Sequence, residues 1–174
     1  MKFTERVRKP GLTITDAGNT NIYKCDKIHL GLPGRDEAIE RYNDFNRILA
    51  KAGIKIGYAT WEPNQVLTTK FAVGKYTRGA IGRIVDLEEI KSRPYTHGRL
   101  YTQEEIWENF KYFLDRVLPV CEELDFKIAL HPNDPPVDCL VGISNLITSA
   151  ECYKKAFELS GNSPYLGMKM CVGC

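Results

Sequence analysis

The stretch that most constrains this 174-residue chain is residues 102–136, which join one amphipathic helix to one buried strand. Thr102-Gln-Glu-Glu105 has the spacing of a capping box, in which a hydroxyl and a carboxylate three residues apart each accept from the other residue's backbone N–H. Behind it Ile106, Phe110, Phe113, Leu114, Val117, Cys121 and Leu124 fall on one stripe of a 3.6-residue period, so the segment predicts a helix with one face committed to a core. Pro119 lies inside that stripe and, having no backbone donor, predicts a bend or a break near Asp115. The helix leads into residues 126–130, a short apolar run suited to a buried strand, and Pro132, Pro135 and Pro136 then stop sheet pairing. A strand ended this way presents His131 and Asp134 on a stiff loop. Imidazole and carboxylate so placed suit a metal site; the alternative is an ordinary histidine closing a strand.

The flanking segments repeat the same alternation. Residues 1–21 are polar and turn-rich and read as an irregular lead-in. Residues 22–30 read as a short strand, with His29 structural or facing solvent, and Asp36 is placed to cap a helix after the turn at 31–34. Ala38, Tyr42, Phe45, Ile48, Leu49 and Ala52 mark the helix face, Gly53 takes the C-cap position, and residues 54–58 form the next strand. Residues 64–100 have no clear period and read as a long loop or insertion, with a helical turn or two at 87–91. Its basic residues, Lys70, Lys75, Arg78, Arg83 and Arg99, either reach an anionic substrate group or form a solvated surface. Farther on, residues 140–147 are apolar, and Thr148-Ser-Ala-Glu151 has capping-box spacing. Tyr153, Ala156, Phe157 and Ser160 mark a helix face, and residues 165–171 form a strand ending at Cys171. Helix, glycine, strand is the rhythm of an α/β protein with parallel strands, in one domain spanning 1–174. A last strand with no helix to cover it predicts a chain that stops partway through a larger repeating β/α architecture.

Composition narrows the function classes. With 43% apolar and 26% charged residues the chain can bury a core. Its 24 basic and 22 acidic residues are dispersed to a net charge of +2, which leaves no basic face for nucleic acid. The charged N-terminus has no apolar core behind it and no run approaches membrane-spanning length, so neither secretion nor a membrane is expected and the location predicted is cytoplasmic. Cys25, Cys121, Cys139 and Cys152 are scattered through patterned elements, which predicts reduced thiols.

His131, Asp134 and Cys171 stand at the ends of two strands separated by one β/α unit, and in a parallel barrel such ends open onto one face. Imidazole and thiolate suit zinc or iron, and a carboxylate extends the range to manganese. Cys171-Val-Gly-Cys174 could instead be half of a structural zinc site or a thioredoxin-like pair. The first needs a second ligand pair, and the second needs a following helix; the sequence supplies neither.

The segments at 107–123, 129–136, 142–149 and 170–171 occur in an order that resembles the mannonate dehydratases, closely from about residue 102 onward and more loosely over 36–63. The resemblance implies an incomplete TIM barrel of the xylose-isomerase-like kind, a divalent Mn2+ or Fe2+ ion, and dehydration of D-mannonate to 2-keto-3-deoxy-D-gluconate. It places His131 and Cys171 as metal ligands, and Asp134 as a residue that shapes the site or contacts substrate, with Tyr58, Trp61 and Asn133 as further substrate-binding candidates. The family's other ligands and its acid/base pair belong to later strands; within this chain only Tyr58, Glu62 and His97 are candidates for proton transfer. The partner implied is a small sugar acid, and the open sheet edges of a partial barrel predict a homo-oligomer. Two other readings remain at this stage: another metal-dependent sugar isomerase or epimerase of the same superfamily, and an inactive truncated barrel.

Overall fold

Three short runs rich in glycine, alanine and branched aliphatics pair side by side in the computed structural model, which describes residues 2–172. In chain order the elements are α1 (Lys2–Arg8), α2 (Thr20–Tyr23), α3 (Asp26–His29), α4 (Arg35–Lys51), β1 (Ile56–Thr60), β2 (Lys70–Val73), β3 (Ile81–Ile84), α5 (Leu87–Lys91), α6 (Gln103–Glu123), β4 (Lys127–His131), β5 (Cys139–Leu140), β6 (Ile143–Ser144), α7 (Ala150–Leu159) and β7 (Leu166–Met168). The main sheet has the order β1-β4-β7, and both pairings are parallel. The expected α/β class with parallel strands therefore holds, and each crossover between neighbouring strands carries a long helix, α6 or α7.

Register decides which residues share a face. Tyr58 pairs with Ala129 and Ala129 with Gly167, so these three form one row across the sheet. Gly57, Ala59, Ile128, Leu130 and Leu166 alternate with them and face the helices, where Ile128 and Leu130 are fully buried. Against that face α6 buries Ile106, Trp107, Phe110, Phe113, Leu114, Val117 and Cys121, the predicted stripe with Trp107 added and without Leu124, which is the partly buried C-cap. The capping box at its start is complete: Thr102 Oγ1 accepts from the Glu105 N–H and the Glu105 carboxylate accepts from the Thr102 N–H. Gly57 is required by the core, since a Cβ there would lie 2.8 Å from the ring of Phe126, itself without exposed surface.

Several expectations are corrected. α6 runs through Pro119 as one helix, and just before it the Arg116 carbonyl accepts from the side chain of Asn43. Residues 22–30 are not a strand but the one-turn helices α2 and α3, because the Asn19 side chain caps the turn and the place beside β1 is taken by Ala17, whose N–H donates to the Ile56 carbonyl. The lead-in contains α1. Asp36 is not the cap of α4: Gly34 holds that position at φ 83°, and the Asp36 carboxylate instead accepts from the Tyr112 hydroxyl. On α4 Ile48 is 64% exposed, whereas Ile39, Asn43 and Asn46 are buried. The aperiodic stretch 64–100 holds the antiparallel hairpin β2–β3, whose turn is tied by Thr77 to both backbone groups of Gly74, and α5 lies where a helical turn was expected. The apolar run at 140–147 contributes the separate hairpin β5–β6, turned by Val141 and Gly142 at φ 42° and 90°. α7 is capped by Ser149 and not by Thr148, and β7 ends at Met168, three residues before Cys171. Cys25, Cys121, Cys139 and Cys152 are thiols, as expected. Among the described residues no helix is long and apolar enough to cross a membrane.

His29 links this packing to pH. It is buried between α2 and Trp61, with Nε2 donating to the Tyr23 carbonyl at 3.2 Å and the ring centroid 4.5 Å from that of Trp61. Burial is the main cause that pushes its pKa down to about 3, so the folded protein holds it neutral. An unfolded histidine titrates near 6.5. The stabilisation is therefore complete above about pH 6.5 and is lost as pH falls toward 3, by about 1.4 kcal/mol per pH unit inside that window. Urea denaturation at pH 7 and pH 5 should show wild type losing roughly 2 kcal/mol more than His29→Gln; equal losses would contradict a neutral buried His29. In the same assay Gly57→Ala should cost about 1–3 kcal/mol through its clash with Phe126.

Candidate functional site

Beyond the ends of the main strands lies a cavity of about 380 Å³. Its walls include Tyr58 from β1, His131 from the end of β4, Asp134 from the loop that follows, and Cys171 beyond β7. These four residues were singled out from the sequence, as were Glu62 and Arg83, which also line the cavity; parallel register places Thr60 beside His131 and brings the chain after β7 along the same edge.

The donor chemistry at His131 is fixed locally. Its Nδ1 lies 2.6 Å from the Pro132 carbonyl oxygen, an atom that only accepts, so Nδ1 carries the proton and Nε2 keeps a lone pair. An imidazole whose Nδ1 is taken by the Pro132 carbonyl and a cysteine lining the same cavity fit a transition-metal half-site. Among the described residues no group of three or more histidine, cysteine or acidic side chains is clustered to hold an ion, so these two would need ligands from elsewhere. Cys174, the partner in the alternative Cys-x-x-Cys reading, lies outside the described residues.

Asp134 is positioned through its backbone. Its N–H donates to Glu62 Oε1 at 2.9 Å, and the other oxygen of that carboxylate accepts from Lys24 Nζ at 2.5 Å. Glu62 is only 4% exposed, so its charge is held by this lysine and this amide. A carboxylate so committed braces α2, the end of β1 and the loop after β4 against one another, and Glu62 itself also lines the cavity. His97 is corrected: its Nε2 is 3.1 Å from Asp26 Oδ2 and its Nδ1 3.0 Å from the Thr96 hydroxyl, and it does not line the cavity.

Trp61 and Asn133 are not at the cavity either. Trp61 is 2% exposed and packs edge-on against Phe110 and Phe113. Asn133 is 1% exposed; its amide nitrogen donates to the Trp61 carbonyl and to Asn145 Oδ1, and its oxygen accepts from the Ile147 N–H. It holds the proline loop, β1's end and the start of the next helix together from inside.

Sequence reasoning missed two of the three positive charges, Lys24 and Lys169. Lys24 and Lys169 line the cavity, as does Arg83 of β3, the one of the basic residues named in the 64–100 segment that reaches it. Period-two alternation counted back from Cys171 was the available signal for Lys169, since it puts residues 167, 169 and 171 on one face.

Fold and site together define a parallel α/β protein with a histidine and a cysteine lining one cavity beyond the ends of neighbouring strands, among basic groups. The family model for D-mannonate dehydratase (UxuA) matches residues 81–174. Mannonate dehydratases of Thermotoga petrophila and Shouchella clausii are 32% and 27% identical to the chain, each over 99% of it and 56% of the relative. The crystal structure of mannonate dehydratase from Streptococcus suis serotype 2 superposes with a TM-score of 0.79 at 27% identity, over 99% of this chain and 50% of that one. The chain belongs to the mannonate dehydratase family. It is a partial chain by that measure, spanning about half the length of the curated relatives it matches.

The internal role of Asn133 is testable. Asn133→Ala leaves the Ile147 N–H and the Trp61 carbonyl unpaired in the core, and denaturant titration should show a loss of about 2–4 kcal/mol. Asp134→Asn, which keeps the backbone bond to Glu62, should change stability by less than about 1 kcal/mol. An Asn133→Ala chain as stable as wild type would return that residue to the list of substrate contacts.

Proposed function

We propose that this chain carries the metal-holding and carboxylate-facing part of a D-mannonate dehydratase, the hydro-lyase that converts D-mannonate to 2-keto-3-deoxy-D-gluconate in cytoplasmic hexuronate breakdown. The observation that carries the reading is that His131, whose Nδ1 is taken by the Pro132 carbonyl, and Cys171 line the same cavity. The family membership, the sequential β1-β4-β7 order and the crossover helices support a TIM barrel whose remaining strands complete the cavity.

Dehydration needs three things from the protein: stabilisation of negative charge when the C2 proton leaves, an acid for the departing C3 hydroxyl, and a fixed substrate orientation. His131 and Cys171 are the residues that would hold a divalent manganese or iron ion, which when bound supplies positive charge against the substrate carboxylate and its neighbouring hydroxyl. The chain's own side chains do the rest of the positioning. Tyr58 forms a wall of the cavity with its ring, and its carbonyl is anchored by the Tyr42 hydroxyl at 2.8 Å. Asp134 is presented by the Glu62 carboxylate. None of the described cavity residues is assigned the proton transfers, so in this reading the 174 residues bind more completely than they catalyse. The two-donor set and the half-length match favour a chain that turns over little substrate alone. Exposed Met168 and Met170 beside the β7 edge support self-association as the way that edge is covered.

Manganese titration followed by water-proton relaxation should show one weak site in wild type. His131→Ala and Cys171→Ala should each abolish it, and Cys174→Ala should leave it. Because both donors bind in their deprotonated forms, affinity should weaken as pH falls. Loss with Cys174→Ala alone would overturn the ligand assignment. In parallel, 2-keto acid release from D-mannonate, and not from isomerase or epimerase substrates, tests the reaction class.

A further inference from the structure

The basic side of the cavity contains one residue held in an unusual way. The N–H of Lys169 donates to the Leu130 carbonyl at 2.8 Å, which continues the β4–β7 ladder one residue past Met168. Alternation then puts the side chain on the face of Gly167, away from the helices. The row beneath it is Tyr58, Ala129 and Gly167. Glycine and alanine leave that row almost bare, and the Lys169 Nζ comes to 3.8 Å from the centroid of the Tyr58 ring, two strands away. Strands two apart are separated by about 9–10 Å, which the four-carbon stem reaches only by lying flat. Lys169 is half-buried, while Met168 and Met170 on either side of it point outward and are exposed.

A lysine turned inward over an aromatic face is ordered by a cation–π contact, where a surface lysine would stay solvated. Its charge is also unspent. The Lys24 ammonium is taken up by Glu62, but among the described residues Lys169 makes no ion pair with a carboxylate, and neither does Arg83, which faces the cavity from the β2–β3 hairpin over the ring of Phe71. His131, Asp134 and Cys171 line the same cavity. A preorganised cation beside a metal-type donor pair has the chemistry to select an acid over a neutral sugar.

We propose that Lys169 is a specificity-determining residue that binds the carboxylate of the sugar acid, with Arg83 as a weaker, exposed second cation. The inference rests on the substrate class argued above and adds to it the residue that reads the acid group. It attributes to the Tyr58 ring a second task, holding the ammonium in place before ligand arrives.

The test is binding by the full 174-residue chain in the presence of chelator, so that neither metal nor turnover enters the readout. Ligand-observed NMR titrations compare D-mannonate with D-mannitol, a neutral polyol of the same carbon length, for wild type, Lys169→Met and Lys169→Arg; thermal melts check that each variant is folded. Wild type should prefer mannonate. Lys169→Met should weaken mannonate about tenfold or more and leave mannitol unchanged, and Lys169→Arg should restore most of the preference. Tyr58→Leu, which removes the platform and keeps the charge, should give a smaller loss. If wild type prefers mannonate and folded Lys169→Met does so equally, the inference is overturned while the functional reading stands. Lysine-dependent binding of another sugar acid, such as D-gluconate, with none of mannonate keeps the role of Lys169 and overturns the substrate. A folded wild-type chain that binds no sugar acid overturns both.

Discussion

The register of β4 between β1 and β7 is the constraint from which both the core and the cavity follow. Sliding β4 by one residue would carry Ile128 and Leu130 from the helix face to the open face and turn His131 toward α6. What prevents the slip is packing next to the ladder: Phe126 fills the space that the missing side chain of Gly57 leaves, and Tyr153 donates to the Leu130 carbonyl from α7. The strands are short, and on their own their hydrogen bonds would specify register weakly. The aromatic and aliphatic burial under them does so firmly, and the cavity residues take their places as a result.

A second layer of order lies in polar residues at the cavity wall and just behind it. Asn133, Asn145 and Glu62 are buried, and most of their bonds go to backbone groups of loops that have no regular structure of their own. Such networks are high-stakes in a low-dielectric interior, because each unpaired group is costly and each satisfied one removes freedom from a loop. The proline loop after β4 is stiffened by its prolines and is also tied from inside to β1 and to the segment preceding α7. That explains how side chains from three separate stretches converge on one wall.

How much was legible in the sequence depended on which physics set each element. α6 declared itself because cap and period agree, and β4 because an apolar run meets three prolines. The one-turn helices at α2 and α3 were misread because an alternating pattern looks strand-like until the Asn19 side chain and the occupied edge of β1 are known. The β2–β3 hairpin escaped because its turn is held by the Thr77 side chain, with Arg78 and Gly79 at positive φ, and not by a recognisable two-residue turn. At the site, His131, Asp134, Cys171 and Tyr58 were found from strand ends, but nearness in sequence does not give direction. Trp61 and Asn133 flank cavity residues and turn into the core, and Glu62 and Lys24 meet only through tertiary contact.

The hairpin that carries Arg83 sits on a closed stem. Thr96 donates to Asn64 Oδ1 at 2.5 Å, Asn64 in turn donates to the Leu140 carbonyl at 3.0 Å, and His97 is held at Asp26. The two ends of the 64–100 excursion are thereby fastened to the body independently of what lies between them. Loop-closure entropy grows only logarithmically, about 0.6 kcal/mol for each doubling of length, so with its ends already fixed the excursion can lengthen, shorten or change composition at little expense to the rest of the molecule. The wall of the cavity that bears Arg83 is in this sense exchangeable, whereas the wall that bears His131 and Lys169 is welded to the sheet. Change in what the pocket accepts can therefore be confined to one side, by replacing a module and leaving the scaffold untouched.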